Sequence, residues 1–268
     1  MIPLVVCDLD GTLVGSSGQV SECIWQTVGT LRAAGIRVAL ATGRPNQGLC
    51  HKVALQLGAN HPHIFQSGAL IAYPGGETTQ VTALKESVTK TLVGRARELG
   101  LVLELYTPNA LFIERKTPLG NAHAKLLGVK AIVRDLFEVA QNEPVIRAQW
   151  IVAPSQLEQI EDLAPREVQY STATSPAVPE AKFVSVTKAG ISKGSALKTL
   201  ADTLKVDLQN LIVIGDSSGD EPMLELAGHP FVMANAEPHL HNRYKVVGDV
   251  DACGAVEALE QALVLQPR

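Results

Sequence analysis

The sequence is poor in aromatics: Phe, Tyr and Trp together make up 4% of its 268 residues. Any core must therefore be built mainly from Val, Leu, Ile and Ala. No apolar stretch approaches the roughly 20 residues needed to cross a bilayer, so membrane insertion is not expected. No Lys/Arg run of polybasic length occurs and the net charge is −4. Nucleic-acid binding through a basic face is thus not indicated. Cysteine is sparse, and Cys7, Cys23, Cys50 and Cys253 show no paired metal spacing. Reduced thiols in a cytoplasmic protein are the favoured reading. Met1–Cys7 lacks the basic region of a secretory leader and runs straight into Asp8, so no leader is expected. What remains, 46% hydrophobic and 19% charged residues, suits a folded globular chain of one large or two smaller domains.

The pattern along the chain divides into three stretches. Ile2–Cys7, Ile36–Ala41, His63–Phe65 and Leu70–Tyr73 read as strands. A helix from Cys23 to Ala34, with Ser21 as N-cap and Gly35 as stop, and a second from Pro45 toward Leu57 separate them. This β-α-β-α-β rhythm argues for a parallel sheet covered by helices. Residues 84–185 change character. A helix over Ser87–Leu99 is followed by strands Leu101–Tyr106, Ala110–Glu114, Gln149–Ala153, Val168–Thr172 and Lys182–Val186, with a short helix over Ser155–Leu163 and a Pro-marked loop from Ser175 to Pro179. Local pairing there suits an antiparallel sheet with helices on one face. The βα rhythm returns with the helix Ser192–Leu204, strand Leu211–Ile214, helix Pro222–Ala227, strand Phe231–Met233 and helix Ala255–Leu263. The expected fold is α/β: a Rossmann-like doubly wound parallel-sheet core, 1–83 and 186–268, with an inserted α+β cap domain at 84–185.

Polar clusters follow the predicted strands or open a helix. Asp8-Leu9-Asp10-Gly11-Thr12 comes directly after the first strand. Asp8 and Asp10 could form a simple Asx turn or a calcium loop, but no bidentate Glu lies in calcium-loop register downstream. A carboxylate pair at a strand's carboxyl end can instead hold a divalent cation while one member attacks and the other moves a proton. Thr42-Gly43-Arg44 reads as a strand-to-helix turn with Thr42 as cap, or as a phosphate cradle. Lys193 stands in a helix's first turn, where a cation is disfavoured unless an anion faces it. Asp216 follows an apolar strand and Asp220 can cap the helix opened by Glu221-Pro222. Asp8, Asp10 and Asp216 would complete a Mg2+ site, and Lys193 would relieve the repulsion among the acids.

In this order, Asp8-Leu9-Asp10-Gly11-Thr12, Thr42-Gly43-Arg44, Lys193 and Gly215-Asp216 to Asp220 resemble the four motifs of the haloacid dehalogenase-like phosphatases. The insertion between the second motif and the lysine resembles the Cof-type (IIB) branch, which includes sugar-phosphate phosphatases. Further similarities are Ser67-Gly68-Ala69, Gly190-Ile191-Ser192-Lys193-Gly194 and Met233-Ala234-Asn235-Ala236. The resemblance implies Asp8 as a nucleophile forming an aspartyl-phosphate, and Asp10 as the acid and then the base. It implies Thr42, Gly43, Arg44, Lys193 and Asn235 as substrate-phosphate contacts. Mg2+ would be held by Asp8, the backbone carbonyl of Asp10 and Asp216, with Asp220 behind them. Two departures stand out. Gly219 replaces the Asn usual before the last Asp, and Ser67 replaces the Asn of an Asn-Gly-Ala. A phosphotransferase or mutase, or a non-catalytic phospholigand sensor, would use the same core. In the inserted stretch, Arg115, Lys116, His123, Lys125 and Lys182, with Tyr106 or Phe112 as apolar walls, are candidates for selecting a small phosphorylated metabolite. A monomer or homodimer is admissible.

Overall fold

The structure is a computed structural model that describes residues 2–157, 160, 167–173 and 180–265. Its strands in chain order are β1 (Leu4–Cys7), β2 (Arg37–Leu40), β3 (His63–Phe65), β4 (Leu70–Ala72), β5 (Thr78–Val81), β6 (Val102–Tyr106) and β7 (Leu111–Ile113). They continue with β8 (Ala131–Val133), β9 (Arg147–Val152), β10 (Val168–Ala173), β11 (Lys182–Lys188), β12 (Leu211–Gly215), β13 (His229–Val232) and β14 (Lys245–Val246). The chain forms two compact units. One comprises Met1–Arg44, Cys50–Thr79 and Ser192–Arg268, and the other Pro45–Leu49 and Gln80–Ile191. On its C-terminal side the second unit includes all of β11, which runs to Lys188.

In the first unit, five strands form a parallel sheet in the order β14-β13-β12-β1-β2. All four β1 residues are buried, as a central parallel strand covered on both faces requires. Alternation places Leu4, Val6, Ala39, Leu211 and Val213 in one core with Leu197 and Leu200 of the helix Lys193–Leu204. The opposite face is covered by the helices Glu22–Ala33 and Ala255–Val264, which bury Ile24, Val28 and Leu31, and Ala258, Leu259 and Ala262. The chain runs from β1 to β2 on one side and later returns to β12 on the other side of β1. The strand order thus reverses between β1 and β12, the place where open α/β sheets collect ligands. β3 joins β2 only through a parallel bridge, Ala41 to Ile64. The expected run of parallel strands ends there. A three-residue turn, Gln66–Gly68, sends β4 back antiparallel to β3, and β5 completes this small sheet. Without a crossover helix, two successive strands can only pair antiparallel.

One sequence expectation is overturned in this unit. Cys23 and Cys253 form a disulfide with Cα atoms 6.5 Å apart, while Cys7 and Cys50 are free and buried. The 230-residue separation hid the pair. It is made by packing the helix Glu22–Ala33 against the helix Ala255–Val264, next to which Cys253 lies.

The second unit has a six-stranded sheet in the order β10-β11-β9-β6-β7-β8. Its pairings are antiparallel except β7 with β8, which run parallel around the crossover helix Pro118–Leu127. The helices Glu86–Leu99 and Leu136–Asn142 pack on one face over Leu103, Leu105, Ala148, Trp150 and Val184. Leu119, on the crossover helix, packs with Ile151 and Phe183 of the other face. Helices therefore cover both faces rather than the one expected. Of the helix expected over Ser155–Leu163, a short 3-10 turn at Pro154–Gln156 is seen, and residues 158–159 and 161–163 lie outside the described residues, as does the loop from Ser175 to Pro179.

Candidate active site

The register of the parallel sheet sets the site. Cys7, the last residue of β1, pairs with Leu40 on one side and Ile214 on the other. Asp8, Thr42 and Asp216 therefore leave three adjacent strands at the same carboxyl edge. Asp8 keeps its backbone on β12 through Asp8 N to Ile214 O at 2.9 Å. Gly11 has φ +83°, and a Cβ there would overlap the Asp216 carboxylate. Glycine thus permits the loop after β1 to lie against Asp216, and Thr12 Oγ1 donates to Asp216 Oδ1 at 3.3 Å.

Lys193 opens the helix Lys193–Leu204, whose N-cap Ser192 accepts from Ser195 N at 3.0 Å. The Lys193 ammonium donates to Asp8 Oδ1 at 2.5 Å and to Asp220 Oδ1 at 2.6 Å. Side-chain exposure is 8% for Lys193, 7% for Asp8 and 0% for Asp220, so the ion pairs are shielded from water. The next residue, Gly194, abuts the backbone of Pro222, which any side chain would overlap. That close approach brings the helix end onto the Asp216–Asp220 loop. Asp220 Oδ2 accepts from Asp216 N at 2.9 Å, Ser217 N at 3.0 Å and the Ser217 hydroxyl at 3.1 Å. Asp220 occupies the N-cap position of the helix Glu221–Leu224 but makes no side-chain cap bond. Its carboxylate turns back to Lys193 and two backbone amides, so the expected capping role is not the one it performs.

Asp8, Asp216 and Asp220 present carboxylate oxygens that all lie within 4.8 Å of one another. Crowding buried acids disfavours their ionisation. Burial raises the Asp8 carboxyl well above its usual range, Lys193 opposes this, and Asp220 and Asp216 push it further up. Asp216 is raised to about 6, first by burial and then by Asp220, while Lys193 pulls the other way. For Lys193, burial favours the neutral amine, but Asp220 and Asp8 outweigh it and hold the ammonium above its ordinary range. A set of hard oxygen donors with two carboxyls held up by burial and by acidic neighbours fits a divalent cation such as Mg2+. Such an ion would supply the positive charge that Lys193 alone does not.

The other predicted residues divide. Thr42 is fully buried; its hydroxyl accepts from Arg44 N at 3.1 Å and its carbonyl from Ser67 N at 3.0 Å. Gly43 faces the Ser67 hydroxyl, where a Cβ would stand 3.3 Å away. The Arg44 side chain, expected on substrate, grips Asp10. The Asp10 carboxyl is 49% exposed and is not part of the Asp8–Asp216–Asp220 cluster. Asn235, also expected on substrate, donates to Gly11 O at 2.8 Å and accepts from Val250 N at 2.9 Å. Its amide ties the loop after β1 to the turn near the disulfide.

Sequence reasoning missed Glu237, whose carboxylate holds the Ser218 amide at 3.1 Å and also its hydroxyl. Glu237 N in turn donates to Asp216 O at 2.9 Å. No spacing rule links Glu237 to the loop, because the contact forms only after β13 folds beside β12. Opposite the missing Asn, Ser217 is bound to Asp220 and Ser218 to Glu237, which keeps the loop ordered around Gly219.

Among the candidates of the inserted stretch, Arg115, Lys116 and Lys125 are exposed and Lys182 is half-buried. The aromatic and histidine candidates are structural. Phe112 lies in the unit's core. His123 Nδ1 is 2.8 Å from Glu104 Oε2, to which the Tyr106 hydroxyl also donates at 2.6 Å.

A family model described as haloacid dehalogenase-like hydrolase matches residues 5–258. A protein of Streptococcus pyogenes serotype M6, named provisionally as a phosphatase, is 27% identical over 253 residues, covering 92% of each chain. Among solved structures, BT1666 from Bacteroides thetaiotaomicron, described among phosphatases of the same superfamily, superposes with a TM-score of 0.82. It is 24% identical and the match covers 99% of this chain and 96% of that one. The subclass IIB sugar phosphatase BT4131 superposes with a TM-score of 0.79 at 19% identity, covering 98% and 99%. These structural likenesses establish a shared fold.

Proposed function

The chain belongs to the haloacid dehalogenase-like hydrolases, and from that premise we propose that it is a Mg2+-dependent phosphoric monoester hydrolase acting on a small phosphorylated metabolite. The observation that carries this reading is the buried Lys193 ammonium, held between Asp8 and Asp220 with Asp216 beside them at the edge where the strand order reverses. A site of this kind neutralises and positions a phosphoryl group, which is most of what phosphoryl transfer asks of a protein.

The chemistry runs in two displacements. An Asp8 oxygen attacks phosphorus, its O–P bond forming as the ester P–O bond breaks, and Asp10 gives its proton to the departing oxygen. Water then attacks the aspartyl-phosphate, Asp10 takes back a proton, and the Asp8 O–P bond breaks to release inorganic phosphate. Lys193 and the Thr42 hydroxyl hold phosphoryl oxygens. Asp8 must be ionised to attack, although burial and its acidic neighbours favour the neutral acid; Lys193 counters them. Mg2+, held by Asp8, the Asp10 carbonyl and Asp216, would add charge neutralisation on the phosphoryl oxygens. Substrate choice falls to the inserted stretch, 84–185, through its accessible basic side chains Arg115, Lys116 and Lys125. The likeness to the sugar phosphatase BT4131 supports a sugar phosphate or related compound as the substrate class.

A Mg2+-supported screen of phosphorylated metabolites ranked by kcat/KM identifies the ester. Asp8→Asn is expected to lower turnover by about 10^3-fold or more while leaving the thermal midpoint near that of the parent. Near-normal turnover in that variant overturns the nucleophile assignment.

A further inference from the structure

Asp10 and Arg44 form a close ion pair at the sheet edge. Arg44 Nε donates to Asp10 Oδ2 at 2.7 Å, and Arg44 Nη2 to Asp10 Oδ1 at 2.5 Å. Both carboxylate oxygens are thus gripped by the flat fork of one guanidinium, the geometry that fixes a carboxylate's plane as well as its position. The grip is anchored from behind. Arg44 N donates to the Thr42 hydroxyl at 3.1 Å, and Arg44 O accepts from Gln66 N at 3.1 Å. Gln66 and Ser67 hold left-handed backbone conformations, φ 52° and 55°, which non-glycine residues adopt only when their surroundings require it. The Arg44 side chain is 19% exposed and Asp10's is 49% exposed. An exposed carboxylate on a loop would otherwise sample many orientations, and an ordinary surface ion pair would not stop it.

We infer that Arg44 is a positioning residue that holds the Asp10 carboxyl, its proton carried on a lone pair that the guanidinium fork leaves free, in the orientation from which it protonates the leaving group, rather than a contact for the substrate phosphate. The inference rests on the reading of Asp10 as the proton donor. Its consequence depends on how much the leaving oxygen needs a proton. An alkoxide from a sugar or glycerol phosphate is a poor leaving group and requires the acid, whereas p-nitrophenolate departs almost unaided. The comparison belongs in kcat/KM, which reports the steps up to departure of the leaving group and excludes the later hydrolysis of the phosphoenzyme.

In Arg44→Ala the ratio of kcat/KM for glycerol 2-phosphate to that for p-nitrophenyl phosphate is expected to fall by about 10-fold or more, within the range that a positioned general acid supplies. Arg44→Lys keeps the charge but not the fork and is expected to show a ratio nearer Arg44→Ala than the parent. Added guanidinium ion is expected to restore part of the ratio in Arg44→Ala. An equal loss on both esters, accompanied by weaker inhibition by inorganic phosphate, would make Arg44 a phosphate ligand and overturn the inference. An unchanged ratio with unchanged phosphate inhibition also overturns it. Asp10→Asn separates the two layers: its ratio must fall at least as far. If it does not, the failure lies in the assignment of Asp10 as the acid and not in the role of Arg44.

Discussion

Replacing Asp216 by Asn should stabilise the metal-free protein while abolishing its response to Mg2+. Asp216 is half-buried beside Asp220 and Asp8, and its carboxyl is raised from 3.8 to about 6. That displacement corresponds to an ionisation cost of about 3 kcal/mol at pH 8. Asn removes the charge but does not reproduce every hydrogen bond of the carboxyl, so a gain of about 1–2 kcal/mol in EDTA is expected, or about 2–6 °C in the thermal midpoint. The sign with pH follows from a raised carboxyl. Below about 3.8 the acid is neutral in both folded and unfolded chains and the cost is absent; it grows through about 6 and is complete above. The advantage of Asp216→Asn therefore shrinks toward pH 4. Mg2+ reverses the order, since an ion at 100 times its dissociation constant stabilises the parent by about 2.7 kcal/mol and the variant by much less. Differential scanning fluorimetry at pH 8, in EDTA and in Mg2+, reads both effects. A variant midpoint below the parent's in EDTA, or an undiminished Mg2+ shift, would refute the reasoning, because either result makes Asp216 an ordinary structural carboxylate.

Two further outcomes are expected. His63 is fully buried, with Nδ1 accepting from Leu40 N at 3.0 Å and Nε2 lying 2.8 Å from Gly58 O. Burial, then the neighbouring His61, lower it from 6.5 to about 3. The unfolded chain binds this proton below about 6.5 and the folded chain does not until about 3. His63 therefore withdraws up to about 5 kcal/mol of stability as pH falls across that window. Urea midpoints between pH 7.5 and 4.5 should fall less steeply in His63→Asn than in the parent, and equal slopes would show that the ring is not held neutral. The disulfide gives a chemical count: thiol titration of unreduced, denatured protein should find Cys7 and Cys50 only, and Cys23 as well in Cys253→Ser. With 230 residues between its ends, closing the loop constrains the unfolded chain by about 5 kcal/mol. Cys253→Ser should therefore unfold at a clearly lower midpoint, and four titratable thiols in the parent would contradict the pairing.

What the sequence revealed follows from how local each signal is. β1 and β12 are short, continuous apolar runs, and β2 is one after Arg37, because strands buried on both faces leave no alternation to mislead, and their ends place Asp8, Thr42 and Asp216 at one edge. The helix Lys193–Leu204 carries its own N-cap at Ser192. By contrast, the helices Pro118–Leu127 and Leu136–Asn142 went unread although Thr117 and Asp135 both cap through their side chains. Their bodies are short, and Gly120, Asn121 and His123 break the apolar period of the first. The antiparallel return of β4 was illegible because it depends on Gln66 and Ser67 adopting left-handed backbone, for which neither residue type is a signal. At the site, residue types indicated carboxylates and a lysine but not who grips whom. Arg44 reaches Asp10 across 34 residues, and Asn235 reaches Gly11 across 224. Both pairings are set by strand order, which no motif encodes.

The three clustered acids are not equivalent, and the difference accounts for how the fold tolerates them. Asp220 is wholly buried yet fully compensated: Lys193 holds one oxygen, and the amides of Asp216 and Ser217 with the Ser217 hydroxyl hold the other. Removing it would leave a buried ammonium short of a partner, the costly way to break an internal ion pair. Asp220 therefore serves the site by aiming Lys193 at Asp8 and by shaping the loop from which Asp216 projects. Burial and acidic neighbours push the carboxyls of Asp8 and Asp216 up. A divalent cation bound beside them would relieve that cost. The loop Gly215–Asp220 thus divides its carboxylates between one that holds the site together and one whose ionisation burial and Asp220 oppose.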